Sequence, residues 1–298
     1  MKQFVLIALA LALCCISFGS MGTARAADKI KVLVVDGQNN HAWIATTPLI
    51  RAILENAGIF TVEVSTTPKD LAEWHPKFKD YGVVVSNYNG KDWPADVKKE
   101  FVDYVKHGGG FVAVHAANNS FSNWPEYNEM IGLGGWGGRN EKSGPYLRFR
   151  EGKFVKDETP GAGGGHGKQH EFVIDVREPE HPIMKGLPLK WKHAIDELYH
   201  NLRGPANNVT VLGSAYSDKL QGGTGNDEPL LMAIAYDKGR VFHTALGHSV
   251  ETMKGVGFQV TLARGTEWAA TGKVTLPAPP VEDLPADKTV LRDPLKKP

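Results

Sequence analysis

The chain has 298 residues, 34 basic and 33 acidic side chains, a formal net charge of +1 and two cysteines. A near-neutral sequence without a basic stripe gives no support for nucleic-acid binding or for electrostatic attachment to a membrane surface. Both cysteines, Cys14 and Cys15, lie in the leader described next, so the mature chain would hold no thiol nucleophile, disulfide or cysteine metal ligand.

Met1–Ala26 begins with Lys2, continues as the apolar run FVLIALALALCCI and ends in small residues closing on Ala24-Arg25-Ala26. A charged start, an apolar core too short to span a bilayer comfortably and an A-x-A site predict a signal peptide. The predicted cut falls between Ala26 and Ala27 and makes the protein periplasmic or secreted. Leu13, before Cys14, is too bulky for the usual lipid-attachment pattern. Without Lys2 and Arg25 the formal charge is −1, 32 basic against 33 acidic. No later run is apolar for long enough to predict a membrane span after cleavage.

KIKVLVVDG (29–37) is an almost continuous apolar run, as expected of a strand buried on both faces. TTPLIRAILENAG (46–58) follows, with Thr46 or Thr47 able to cap, Pro48 in the first turn and a helical stripe of Leu49, Ile50, Ile53 and Leu54. FTVEVST (60–66) and YGVVVSNY (81–88) read as strands, PADVKKEFVDYVKHGG (94–109) as a helix, and GFVAVHA (110–116) as the next strand. Strand–helix alternation with short connections predicts an α/β fold: a mostly parallel sheet covered on both faces. The glycine-rich excursion at 149–170 is longer than an ordinary connection and is a candidate mobile lid or a solvent loop. HEFVIDV (170–176) and NVTVLGSAYS (208–217) read as strands, and residues 229–247 as a hairpin about Asp237-Lys238-Gly239. GFQVTLARGTEWAAT (257–271) reads as the last helix. The expected organisation is a leader at 1–26, one domain at 27–275, and a proline-rich charged tail at 276–298 that is extended or disordered.

Ligands of open α/β sheets bind beyond the carboxyl ends of the strands. The residues placed there are Asp36, Asn39 and His41 after the first strand, Asn87 after the third, His115 and Asn118 after the fourth, and His248 at the end of VFHTALGHS. Each alone reads equally well as a loop residue or a helix cap. His115 and His248 stand out because each ends an apolar strand core, and neutral imidazole serves as a general base or a metal ligand. WKHAIDELYHNL (191–202), read as a helix, sets Glu197 and His200 three apart on one face. His170 opens a strand and is preferred over His166 in the glycine-rich segment. Trp43, Trp93, Trp124 and Trp136 fall near strand-end loops, where aromatic faces beside Asn suit a sugar site or pack the loops down.

NHAW, GGGFVAVHAANNSF, HPIMKGLP, DELYH, RVFHTALGHS and LARGTEWAATGKV occur in this order and together resemble the ThuA-like family, associated with trehalose utilisation. The resemblance spans roughly Lys29–Val274. It implies a three-layer, flavodoxin-like domain related to class I glutamine amidotransferases, and sugar processing that extends to oxidised (3-keto) disaccharides. In those amidotransferases the strand–turn–helix elbow carries Cys and a late strand end carries its His. Here His248, with Glu251 nearby, matches the latter, but the elbow carries His115, and imidazole is a poor substitute for a thiolate in acyl transfer. Thioester glutamine hydrolysis is therefore not expected.

The leading expectation is an extracytoplasmic carbohydrate-processing enzyme. His115, Glu197 and His248 are its catalytic set and, equally, the ligands of a divalent metal such as Zn²⁺. Asp36, Asn39, His41, Asn87, Asn118, His170 and His200 are the candidate substrate-binding residues for a small carbohydrate. The rival reading is a non-catalytic sugar-binding module of the envelope, and a third is an interaction protein using its tail.

Overall fold

The computed structural model describes residues 28–296, so the leader expected at 1–26 lies outside the described residues. The chain forms β1 (Ile30–Asp36), α1 (Trp43–Asn56), β2 (Phe60–Thr66), β3 (Val83–Ser86), α2 (Ala95–Lys106) and β4 (Gly110–Val114). After a 3₁₀ turn at His115–Asn119 come α3 (Pro125–Ile131), β5 (Tyr146–Arg150), β6 (Lys153–Asp157), β7 (Gly165–His166), β8 (His170–Val176) and β9 (Lys190–Asp196). β10 (Tyr199–His200), β11 (Val209–Tyr216), β12 (Asp227–Tyr236), β13 (Gly239–Thr244), α4 (Val250–Met253) and α5 (Val256–Thr271) complete it.

The central sheet has nine strands in the order β2-β1-β3-β4-β13-β12-β11-β8-β9. The expected parallel sheet makes up one side: β2, β1, β3, β4 and β13 pair in parallel. From β13 onward every pairing is antiparallel, so the sheet is mixed. The connection from β1 to β2 and that from β3 to β4 run in opposite directions along the sheet. Right-handed crossovers then put α1 and α2 on opposite faces. α5 packs on α1, while Phe101 of α2 meets Trp124 at the start of α3 on the other face. Val32–Val35, Val83–Val85 and Phe111–Val114 are buried between these layers, which explains their unbroken apolar runs.

Two local expectations change. α1 begins at Trp43, so Thr46 and Thr47 sit inside it rather than capping it, and both hydroxyls accept from Asn87 Nδ2 at 3.0 Å. Residues 190–196 form a strand, not a helix, because they pair antiparallel with β8, Trp191 opposite Ile174 and His193 opposite Phe172. The hairpin of β12 and β13 and the last helix form as expected. Gly265 in that helix lets the Phe242 ring approach so closely that an added Cβ would lie 2.1 Å from it.

Residues 276–296 run along the domain, interrupted by a 3₁₀ turn at Val281–Asp283. Pro285 O accepts from Lys192 N, Val290 O from Val256 N, and Lys254 O from Arg292 N, while Leu284 is buried. Among the described residues, no helix is long and apolar enough to cross a membrane.

Candidate active site

Four strand ends and one short strand deliver the site. His41 lies five residues after β1 and two before α1, His115 directly follows β4, Glu197 directly follows β9, and His248 lies four residues beyond β13. His115 sits in the left-handed backbone region, with φ of 48°. L-residues reach that region at a cost, and such outliers cluster at functional sites.

The Glu197 carboxylate is the centre. Its Oε2 lies 3.1 Å from His248 Nδ1, 3.5 Å from His115 Nε2 and 3.7 Å from His41 Nε2. Its Oε1 lies 3.5 Å from His166 Nε2 and 3.4 Å from the donating Gln169 Nε2. One ligand atom each from His41, His115, Glu197 and His248 falls within 4.8 Å of all the others.

The ring tautomers are set by neighbours. His115 Nδ1 donates to the carbonyl of Ala245 at 2.8 Å, leaving the Nε2 lone pair facing Glu197 and accepting from the Tyr199 hydroxyl at 2.9 Å. His41 Nδ1 donates to Asn39 Oδ1 at 3.2 Å, and Asn39 Nδ2 in turn donates to Asn87 O, so His41 Nε2 also faces inward. Gln169 Nε2 lies 3.1 Å from His248 Nε2. His248 Nδ1, although close to Glu197, is buried and not aligned with any hydrogen-bond partner.

Burial opposes ionisation of Glu197, but the close imidazoles of His115, His248 and His41 outweigh it and hold the carboxyl far below its ordinary range. The Glu197 carboxylate raises His248, against the effect of burial. Burial, joined by the neighbouring His115 and His248, lowers His41 despite Glu197. Burial and then the Glu197 charge push the Tyr199 hydroxyl up, so it remains a proton donor in a hydrogen bond.

Beneath the cluster lies Asp196, fully buried. It accepts from Gly247 N at 2.9 Å, Glu197 N at 2.8 Å, His248 N at 3.2 Å and His193 Nε2 at 3.0 Å. One carboxylate thus ties the β9 end to the loop after β13. Burial raises its pKa, but the His193 contact outweighs this and keeps it below the ordinary value.

Several candidates stand elsewhere. Asp36 is buried at the end of β1, its main-chain oxygen held by Thr67, and it forms no ion pair with the four imidazoles. Asn87 is tied to α1, and Asn118 Nδ2 bonds His243 Nε2 at 2.9 Å, so both support the rim from below. His170 turns to Lys168 O and packs on Phe172, outside the cluster. His200 bonds Ser217 rather than Glu197. The helical spacing that paired Glu197 with His200 does not exist, and the extended chain brings Tyr199 to His115 instead. Glu251 is exposed and pairs with Lys254.

His166, ranked below His170 in the sequence, is the imidazole that reaches Glu197. Its glycine-rich segment is a fitted strap. β7 pairs with β10, Gly164 N bonds Asn201 O, and Lys168 N bonds Gln221 O. A Cβ at Gly167 would lie 2.1 Å from Gln221 O, and one at Gly165 2.6 Å from His200 Nε2, so these glycines serve close approach. In front of the cluster opens a cavity of about 400 Å³, bounded by His41, His166, Glu197 and Tyr199 together with Asn40, Asn89, Asn119 and Trp136. Asn40, Asn89 and Asn119 stand in the same strand-end stretches as the predicted residues. Tyr199 lies two residues from Glu197, the spacing of one strand face.

A family model described as ThuA, trehalose utilisation, matches residues 31–269. The solved structure of a protein described as ThuA-like from Parabacteroides merdae is 47% identical, with a TM-score of 0.88, and the match covers 91% of this chain and 100% of that one. Another described as ThuA-like, from Bacteroides uniformis, is 20% identical with a TM-score of 0.60, covering 86% and 97%, and shares the fold. Proteins of curated function give no significant match.

Proposed function

Since the chain belongs to the ThuA family, we propose that it is an extracytoplasmic carbohydrate-processing enzyme, acting on glycosides or keto-sugars with His115, Glu197 and His248 at its reactive centre and His41 beside them. The observation that carries this reading is one ionised carboxylate ringed by inward-facing imidazole nitrogens at the floor of a polar cavity. The extracytoplasmic location rests on the leader at Met1–Ala26. The parallel strand order β2-β1-β3-β4-β13 supports the flavodoxin-like detail of the fold, since it matches the 2-1-3-4-5 order of that doubly wound class.

The same residues fit a divalent ion such as Zn²⁺. His115 and His41 have their Nδ1 atoms committed to oxygen acceptors, which is how ligating imidazoles are oriented, and His248 Nδ1 is a buried nitrogen without an aligned partner. His41, His115, Glu197 and His248 would hold the ion, which when bound would polarise a sugar carbonyl or activate water. The protein's own groups fix the geometry: Ala245 O and Asn39 set the rings, Asp196 holds Glu197 and His248 in register, and the Tyr199 hydroxyl donates into the cavity floor. In the absence of an ion, the inward-facing Nε2 lone pair of His115 or His41 is the base able to take a proton next to a keto group, and His248, raised by the Glu197 carboxylate, the acid able to return one. Neither route uses an acyl-enzyme.

The test is metal analysis of the purified mature protein, followed by a turnover screen of native and 3-keto disaccharides with the metal-loaded protein. His115→Ala and His248→Ala are expected to lose both metal and turnover, the latter by at least about a hundredfold. Metal-free protein that binds sugar unchanged in both variants and turns nothing over would instead make the chain a sugar-binding module.

A further inference from the structure

Trp136 is a bulky residue in a place built for glycine. It lies in the stretch Gly134-Gly135-Trp136-Gly137-Gly138 with φ of 51°, where a large L-side chain is a genuine outlier. Gly137 and Gly138 beside it also have positive φ, which costs a glycine nothing, yet the tryptophan shares it. The backbone is also locked. Trp136 N bonds Gly163 O, and the buried Arg139 donates to the carbonyls of Gly135, Asn119 and Ser120 at 2.7, 3.1 and 2.7 Å. The ring is half-buried, lines the cavity, and meets Tyr199 edge-on with centroids 4.7 Å apart. Strain held this firmly at a cavity wall argues for a role in what the cavity contains.

The other polar groups of that wall are amides. Asn89 Nδ2 donates to Asn40 Oδ1 at 2.6 Å, Asn89 Oδ1 accepts from Ser120 Oγ at 3.3 Å, and Asn119 Oδ1 is buried with no partner. No lysine or arginine lines the cavity. The nearby guanidinium of Arg139 is taken up by backbone carbonyls and Asn128, and that of Arg148 by Glu228 and Asn201. An anionic group on the ligand would therefore find no lysine or arginine to pair with, and the nearby imidazoles already face the Glu197 carboxylate.

Resting on the carbohydrate reading, we infer that Trp136 with Asn119 and Asn40 forms the sugar subsite, and that its ligand is a neutral, unphosphorylated glycoside. One pyranose ring lays its C–H face on the Trp136 indole, and its hydroxyls bond the side-chain amides of Asn119 and Asn40 that line the cavity. A cavity of about 400 Å³ is at the small end for a ligand site and suits one or two sugar rings rather than a longer glycan.

Titration calorimetry on the mature protein tests this with trehalose, maltose, methyl α-glucoside and trehalose 6-phosphate. At least one neutral sugar is expected to bind, and the phosphate to bind at least about tenfold more weakly. Trp136→Ala should weaken the neutral sugar about tenfold, the scale of one aromatic contact, Trp136→Phe should restore most of it, and Asn119→Ala should weaken it without touching the tryptophan. Metal content of these variants should equal that of the parent. Binding unaltered in Trp136→Ala and Asn119→Ala overturns the subsite while leaving the carbohydrate reading intact, and tighter binding of the phosphate overturns its neutrality. If no sugar binds the parent protein, the carbohydrate reading itself falls.

Discussion

At His115 the side chain and the backbone pull in opposite directions. The imidazole is buried and held by Ala245 O and Tyr199, which favours keeping it, whereas φ of 48° favours glycine. This reverses the ordinary ranking of truncations. His115→Gly and His115→Ala both lose the same contacts, but the glycine variant should be the more stable by about 1 kcal/mol, measured by urea unfolding; an alanine variant at least as stable would show that the elbow is unstrained. His115 was legible in the sequence because an apolar strand core ran straight into it. His41 was visible only as a loop residue, since nothing local says that Asn39 turns its ring inward. His166 was passed over because five glycines nearby read as flexibility, when at least two of them are there to let chain segments touch.

Strand ends decide the next scale. Glu197 and His248 come from β9 and from the loop after β13, non-neighbouring strands, and the Asp196 carboxylate holds both segments by their backbone N–H groups. Asp196→Ala would strand three N–H donors and His193, and is expected to cost about 3 kcal/mol or more in urea unfolding. Asp196→Asn keeps the volume and one acceptor oxygen. It should lower turnover or metal affinity by about 10- to 100-fold, the usual effect of losing a ligand's support, with a smaller loss of stability. An Asn variant with unaltered turnover and metal affinity would reduce Asp196 to packing. β1, β3 and β4 were readable from unbroken apolar runs, but β9 was not. WKHAIDELYH contains a plausible helical E-x-x-H pair, and a strand with Trp191, His193 and Ile195 on one face is equally compatible with its letters. Only pairing with β8 decides between them, and that is a long-range fact.

For the whole molecule, buried histidines make stability depend on pH. His243 is enclosed between Asn118 and Ile131 O, and burial, aided by the His115 charge, lowers its pKa to about 4 against an ordinary 6.5. The unfolded chain therefore takes up a proton at this group as pH falls below 6.5 and the folded chain does not. Stability present above pH 6.5 is lost progressively down to pH 4, by about 3 kcal/mol at most from this residue. His181 and His200, also lowered by burial, add in the same direction. His243→Gln should flatten the fall of unfolding free energy between pH 6.5 and 4 by close to one proton, and an identical slope in the variant would assign it to other groups. Fold class was readable from alternation because burial on two faces leaves its mark on each strand. The antiparallel half was less so, since β8 and β11 declare themselves as strands without declaring their direction, and only the hairpin of β12 and β13 fixes its own.

The C-terminal segment has a consequence for solubility. β9 is the last strand of the sheet, and an edge strand offers unpaired N–H and C=O groups to any other chain that passes. Pro285 O occupies the N–H of Lys192, and Thr289 Oγ1 bonds both His193 O and the Glu171 side chain. The proline-rich segment thus works as a cover over the edge, and its prolines cannot themselves extend a ladder. A chain trimmed at residue 275 would keep its cavity and its imidazoles but bare a sticky margin, and would be prone to join its own copies edge to edge.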